Sequence, residues 1–86
     1  MATVRLSRLL IPVVGDRLEF EVAGETVGEV IDHMLEETPA LRVHLFDQTG
    51  ELRPHVLCFV DDQAVRLEDR SVPVRRLEFL HAVSGG

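Results

Sequence analysis

Eighty-six residues, 45% of them hydrophobic, are enough for one small packed domain, and a formal charge of −6 gives it an acidic surface. All nine basic residues are arginine, and the one close pair, Arg75-Arg76, is too small a patch for phosphate neutralisation, which excludes nucleic acid as a partner. No apolar stretch approaches the ~20 residues of a membrane span, and a single cysteine, Cys58, excludes an internal disulfide and fits a reducing cytoplasm.

Val4 and Leu6 alternate with Arg5 and Ser7, which predicts a half-buried strand running on to about residue 11. Leu9-Leu10-Ile11 breaks the alternation, as a bulge would. The apolar run Leu9 to Val14 is short and no small-residue cleavage motif follows it, so no signal peptide is expected. Residues 12–17 read as a turn with Gly15-Asp16 at its tip. Leu18, Phe20 and Val22 alternate with Glu19 and Glu21, completing an antiparallel hairpin.

Thr26-Val27-Gly28-Glu29 has the spacing of a capping box, in which the Thr26 hydroxyl and the Glu29 carboxylate serve each other's amides. Val27, Val30, Ile31, Met34 and Leu35 then recur on one helical face, and Pro39 stops the helix near Thr38. Residues 40–47 suit a short second helix or turn with Leu41, Leu45 and Phe46 pointing inward. Gly50 marks a turn. Residues 55–60 read as a strand apolar on both faces, 61–62 as a turn, 65–67 as a short strand, 68–73 as a loop and 77–83 as the last strand. The order strand, strand, helix, strand, short strand, strand is that of an α+β layer, the β-grasp or ubiquitin-like arrangement: a mixed sheet of four to five strands on one main helix.

The sequence closes on Gly85-Gly86 directly behind the run Leu77 to Ser84. Two residues without Cβ atoms can thread a carboxylate into a channel too narrow for side chains. In this order, three stretches resemble the ubiquitin-like sulfur carriers of the MoaD and ThiS type. They are Leu18 through Val30, with Thr26-Val27-Gly28-Glu29-Val30 at the helix start; Cys58-Phe59-Val60-Asp61-Asp62; and Leu77 through Gly86. Asp61-Asp62 replaces the family's Asn-Gly turn, which predicts a different turn type. Pro73-Val74-Arg75-Arg76 replaces its Asp-Gly-Asp turn, and His81 stands where relatives often have proline.

The resemblance implies a carrier rather than an enzyme. It binds no cofactor. ATP and a sulfur donor are used by its partners: a ThiF/MoeB-like adenylating enzyme, a sulfurtransferase or cysteine desulfurase, and an acceptor synthase subunit. Gly86 would be adenylated and converted to a thiocarboxylate. Gly85, Ser84 and Val83 would enter the partner, and Leu80 and Phe59 would meet on the uncovered sheet face as a docking patch. Molybdopterin, thiamine and cysteine-type pathways all fit. So do a ubiquitin-like modifier joined through Gly86 to lysines and a non-covalent β-grasp module. Cys58 among Val56, Leu57, Phe59 and Val60 reads as a small buried hydrophobe, and His33, His44, His55 and His81, in no ligand spacing, as surface residues.

Overall fold

The computed structural model describes residues 1–82. Five strands, β1 (Ala2–Leu6), β2 (Glu19–Val22), β3 (Val56–Val60), β4 (Gln63–Val65) and β5 (Arg76–His81), form one mixed sheet in the order β2-β1-β5-β3-β4. The β1–β2 and β3–β4 pairs are antiparallel hairpins, and β5 lies between them, parallel to β1 and antiparallel to β3. This is the β-grasp fold, with the last strand at the centre of the sheet.

The first strand is shorter than its hydrophobic pattern predicts. It ends at Leu6, and Ser7 caps a 3-10 turn, Arg8–Leu10, by accepting from the Leu9 amide at 3.2 Å. A four-residue helix, α1 (Ile11–Val14), follows with Pro12 in its first turn, where a missing N–H costs little. Leu10 is buried while Leu9 and Ile11 stay exposed, so the apolar triplet is a helical turn with one inward side chain, not a bulged strand. β4 also starts earlier than its pattern suggests, leaving Arg66 and Leu67 in the loop beyond it.

The main helix, α2 (Val27–Glu37), starts at the capping box. The Glu29 amide donates to the Thr26 hydroxyl at 3.3 Å, and the Glu29 carboxylate accepts from the Thr26 amide at 3.2 Å. Its five stripe residues are buried against the inner face of the sheet with Val4, Leu77 and Phe79. At about 2 kcal/mol per buried side chain, that stripe contributes on the order of 10 kcal/mol before ordering costs.

Two glycines make the helix start possible. Gly24 has φ +135°, and a Cβ there would stand 3.0 Å from the Glu29 Cβ and the Val30 amide. At Gly28 a Cβ would stand 3.2 Å from the Arg70 Cβ and carbonyl, the same carbonyl that accepts the Gly28 N–H at 2.9 Å. The loop preceding β5 is therefore stitched to the first turn of α2. Val27 donates to the Val72 carbonyl, and Val74, itself buried, donates to the Glu25 carbonyl.

A third helix, α3 (Leu41–Leu45), buries Leu41 and Leu45. Phe46 packs edge-to-face on Phe79 at 6.1 Å, with the Arg70 guanidinium 5.7 Å above its ring. These residues fill the inner side of the sheet, so neither α3 nor Phe46 serves as a lid for the outer face.

The turn between β3 and β4 corrects the expectation drawn from its residues. Asp61 and Asp62 have φ +47° and +72°, the left-handed pair of a type I′ hairpin, the turn type that Asn-Gly also makes. The Asp61 carboxylate accepts from the Arg75 and Arg76 amides at 3.0 and 2.9 Å, which ties the strained turn to the start of β5.

Candidate functional site

β5 delivers the chain toward Gly85-Gly86 through the middle of the sheet. The last hydrogen bond described is that of the Ala82 amide, which donates to the His55 carbonyl at 2.7 Å. Val83, Ser84, Gly85 and Gly86 lie outside the described residues.

The outer face, opposite α2, divides into two halves. Its β2–β1 half is polar. Thr3 donates to Glu21 at 2.7 Å, Arg5 approaches Glu78 at 3.9 Å and Arg76 approaches Glu19 at 4.0 Å. Its β3–β4 half is apolar and carries Leu57, Phe59, Ala64 and the end of β5 at Leu80.

Both sheet residues expected at the docking patch are therefore on this face, each partly buried. They do not face one another directly. Leu80 pairs with Leu57, and Phe59 pairs with Glu78 on one side and Ala64 on the other. Leu57, 44% exposed, belongs to the patch beside the two expected residues. Its signal was present in the two-residue alternation with Phe59, but which residue faces Leu80 depends on the β3–β5 register, which no local pattern encodes. A groove of about 730 Å³ continues from the patch around the sheet edge, bordered by Leu52, Arg53, Pro54 and Arg66.

Cys58 faces the core at 2% exposure, and burial pushes its thiol up to about 12, so it presents no thiolate. The histidines are not all surface residues. His33 is half-buried, with Nδ1 2.6 Å from the Ala23 carbonyl. His81 is also half-buried, and its Nδ1 has no hydrogen-bond partner among the described residues. Burial, then the nearby His44 and His55, hold the His81 imidazolium below its ordinary range. Among the described residues no group of three or more His, Cys, Asp or Glu could hold a metal ion, and no helix is long and apolar enough to cross a membrane.

Comparison with known proteins agrees with this geometry. The model of the ThiS family matches residues 4–86. CysO of Amycolatopsis orientalis, solved in a complex with BexX, is 27% identical, with TM-score 0.82 and full coverage of both chains. CysO of Mycobacterium tuberculosis is 25% identical at TM-score 0.77, over 96% of this chain and 100% of that one. SAMP1 of Haloferax volcanii, a small archaeal modifier protein, is 30% identical at TM-score 0.73, over 99% and 98%. No curated protein matches by sequence.

Proposed function

The chain belongs to the ThiS family of ubiquitin-like carriers, and from that premise we propose that Gly86 is the group it carries chemistry on. One observation carries the reading: the family match runs through residue 86, so it includes Gly85-Gly86 behind the central strand β5.

A carboxylate is a poor electrophile, so it must first be activated. A Gly86 carboxylate oxygen attacks the α-phosphorus of ATP and pyrophosphate leaves, giving the acyl-adenylate. A sulfur nucleophile then attacks the carbonyl carbon, the C–O bond to AMP breaks, and AMP departs with the electron pair. Where the donor is a persulfide, a second thiol cleaves the S–S bond of the resulting acyl disulfide and releases the thiocarboxylate. All of this machinery resides in the partners. The carrier supplies a thin terminus and a surface to hold, and that surface is the apolar outer patch of Leu57, Phe59, Ala64 and Leu80. The Amycolatopsis relative, solved bound to BexX, supports partner docking of this kind. The receiving enzyme sets whether the sulfur enters a molybdopterin, thiamine or cysteine-type product.

Likeness to SAMP1 favours a second reading, conjugation of Gly86 to lysines of other proteins. The intact mass of the untagged chain, isolated from its host under reducing, non-acidic conditions, separates the two. One oxygen exchanged for sulfur at Gly86 is the expected result. Free acid together with target lysines that carry a C-terminal fragment of this chain ending in Gly86, Leu77–Gly86 after cleavage at arginine, would replace the carrier reading with the modifier one.

A further inference from the structure

An activated acyl group attacks whatever nucleophile it can reach, so a carrier's own side chains are its first hazard. This chain has no lysine amine, because all nine of its basic residues are arginine. A guanidinium stays protonated and does not compete for acyl groups near neutral pH. Its one thiol, Cys58, is sealed on the inner face of β3. Hydroxyls without a neighbouring base are weak acceptors.

The remaining amine is the backbone one at Met1, and the topology keeps it away from the activated end. β1 and β5 run parallel, with Thr3 beside Arg76 and Leu6 beside Phe79. Met1 therefore lies past the beginning of β5. Ala82 lies six residues beyond Arg76, which is about 20 Å further along the strand direction. Residues 83–86 span at most ~14 Å even when fully extended. They cannot close that gap.

We propose that the chain is built without an internal acceptor for its own activated carboxyl group, so that acyl transfer goes only to a nucleophile brought by another molecule. The inference rests on Gly86 being the activated end. In transfer to an amine, a C–N bond forms at the Gly86 carbonyl, the bond to the leaving group breaks, that group departs with the electron pair, and the ammonium proton goes to solvent. The imidazoles near this end are His81, next to Ala82, and the exposed His44 and His55 beside it, and any of them could attack. An acyl-imidazole on any of them returns to the acid by hydrolysis and leaves no lasting adduct.

The test is the full chain prepared as a C-terminal thioester by intein thiolysis, held dilute at mildly alkaline pH and followed by intact mass. The native chain is expected to hydrolyse slowly to the acid, with no species lighter than the acid by one water. Free cysteine should capture the same thioester completely, which shows that the acyl group is reactive. His55→Lys, an exposed position beside Ala82, is expected to gain the product lighter by one water. Arg75→Lys, exposed at the opposite end of β5, is expected to form none. A one-water loss in the native chain, or equal loss in both variants, overturns the proposal. Because the thioester is made chemically, failure of an ATP-dependent enzyme to activate Gly86 would count against the proposed function and leave this result standing.

Discussion

Leu57 and Leu80 stand directly opposite each other across the β3–β5 ladder, on the sheet face away from α2. Leu57 keeps 44% of its surface in contact with solvent, so it contributes little to folding. Leu57→Ala should leave stability within about 0.5 kcal/mol of the native chain. If the patch docks the activating enzyme, the same change should lower kcat/KM for adenylation about tenfold, mainly through KM. Val43→Ala, at an exposed apolar site on α3, is the control and should change neither quantity. Steady-state pyrophosphate release with a paired thermal melt reads both. Equal effects at positions 43 and 57 would dissociate docking from this face.

Asp61 and Asp62 share one turn and pull stability in opposite directions. Asp62 holds φ +72°, which glycine adopts without Cβ strain. Asp62→Gly should therefore raise stability by roughly 0.5 kcal/mol. Asp61 is different, since its carboxylate accepts from two amides at the start of β5. Asp61→Ala should cost about 1–2 kcal/mol, because the Arg75 and Arg76 amides both lose the acceptor that ties the left-handed turn to β5. Urea titrations of the two single variants check the signs. A loss on Asp62→Gly would count against the type I′ geometry.

Local chemistry explains which parts of this fold are visible in the residues. The capping box at Thr26 and Glu29, the α2 stripe from Val27 to Leu35 and the stop before Pro39 all depend on neighbours within one or two turns, and all are present as read. Residues 9–11 depart from the expected bulge because three consecutive apolar residues have the same pattern in a bulged strand and in a helical turn. The difference lies in the Ser7 cap and in the core space that takes Leu10. The Asp61-Asp62 turn departs from expectation for a related reason. Its backbone is fixed by acceptor bonds to Arg75 and Arg76, fourteen and fifteen residues away. On the candidate surface, alternation placed Phe59 and Leu80 on the correct face, while the pairing of Leu80 with Leu57 required the register of two strands distant in sequence.

Acidification should destabilise the chain through three exposed carboxylates. Glu29 is held below its ordinary value of 4.5 by the amides of Glu25 and Thr26 and the Thr26 hydroxyl, and Asp47 below 3.8 chiefly by Thr49. Asp69 is held below 3.8 by the Ser71 hydroxyl and amide. Each has a depressed folded-state pKa, so its contribution is complete above the unfolded value and is lost as pH falls through the folded one. The stability curve should be flat from these groups above pH 4.5 and should bend downward below it. Glu29→Gln should shrink that acid limb and also lower stability at neutral pH, where the charged cap is intact. Denaturant midpoints across the acid range test this, and an unchanged limb in Glu29→Gln would remove the capping carboxylate from the account.

His81 adds a separate and earlier pH effect at the point where β5 gives way to the tail. Its folded pKa lies below the ordinary 6.5, because burial disfavours the imidazolium and His44 and His55 oppose a further charge. Protonation would also place a proton on Nδ1, where the described structure offers no acceptor. As pH drops below 6.5 the unfolded chain takes up the proton first, so it binds more protons than the folded chain and stability falls. The loss continues until pH passes below the folded value. The same charge should loosen the end of β5 before it unfolds the whole domain, because Ala82 is held there by its bond to the His55 carbonyl. Hydrogen exchange at the Ala82 amide, corrected for intrinsic rate, should therefore lose protection between neutrality and mild acid, while the Val4 and Leu77 amides in the central ladder keep theirs. His81→Leu should abolish this selective loss. If Ala82 protection still fell in His81→Leu with the native pH dependence, the imidazole would not be the group that loosens the strand.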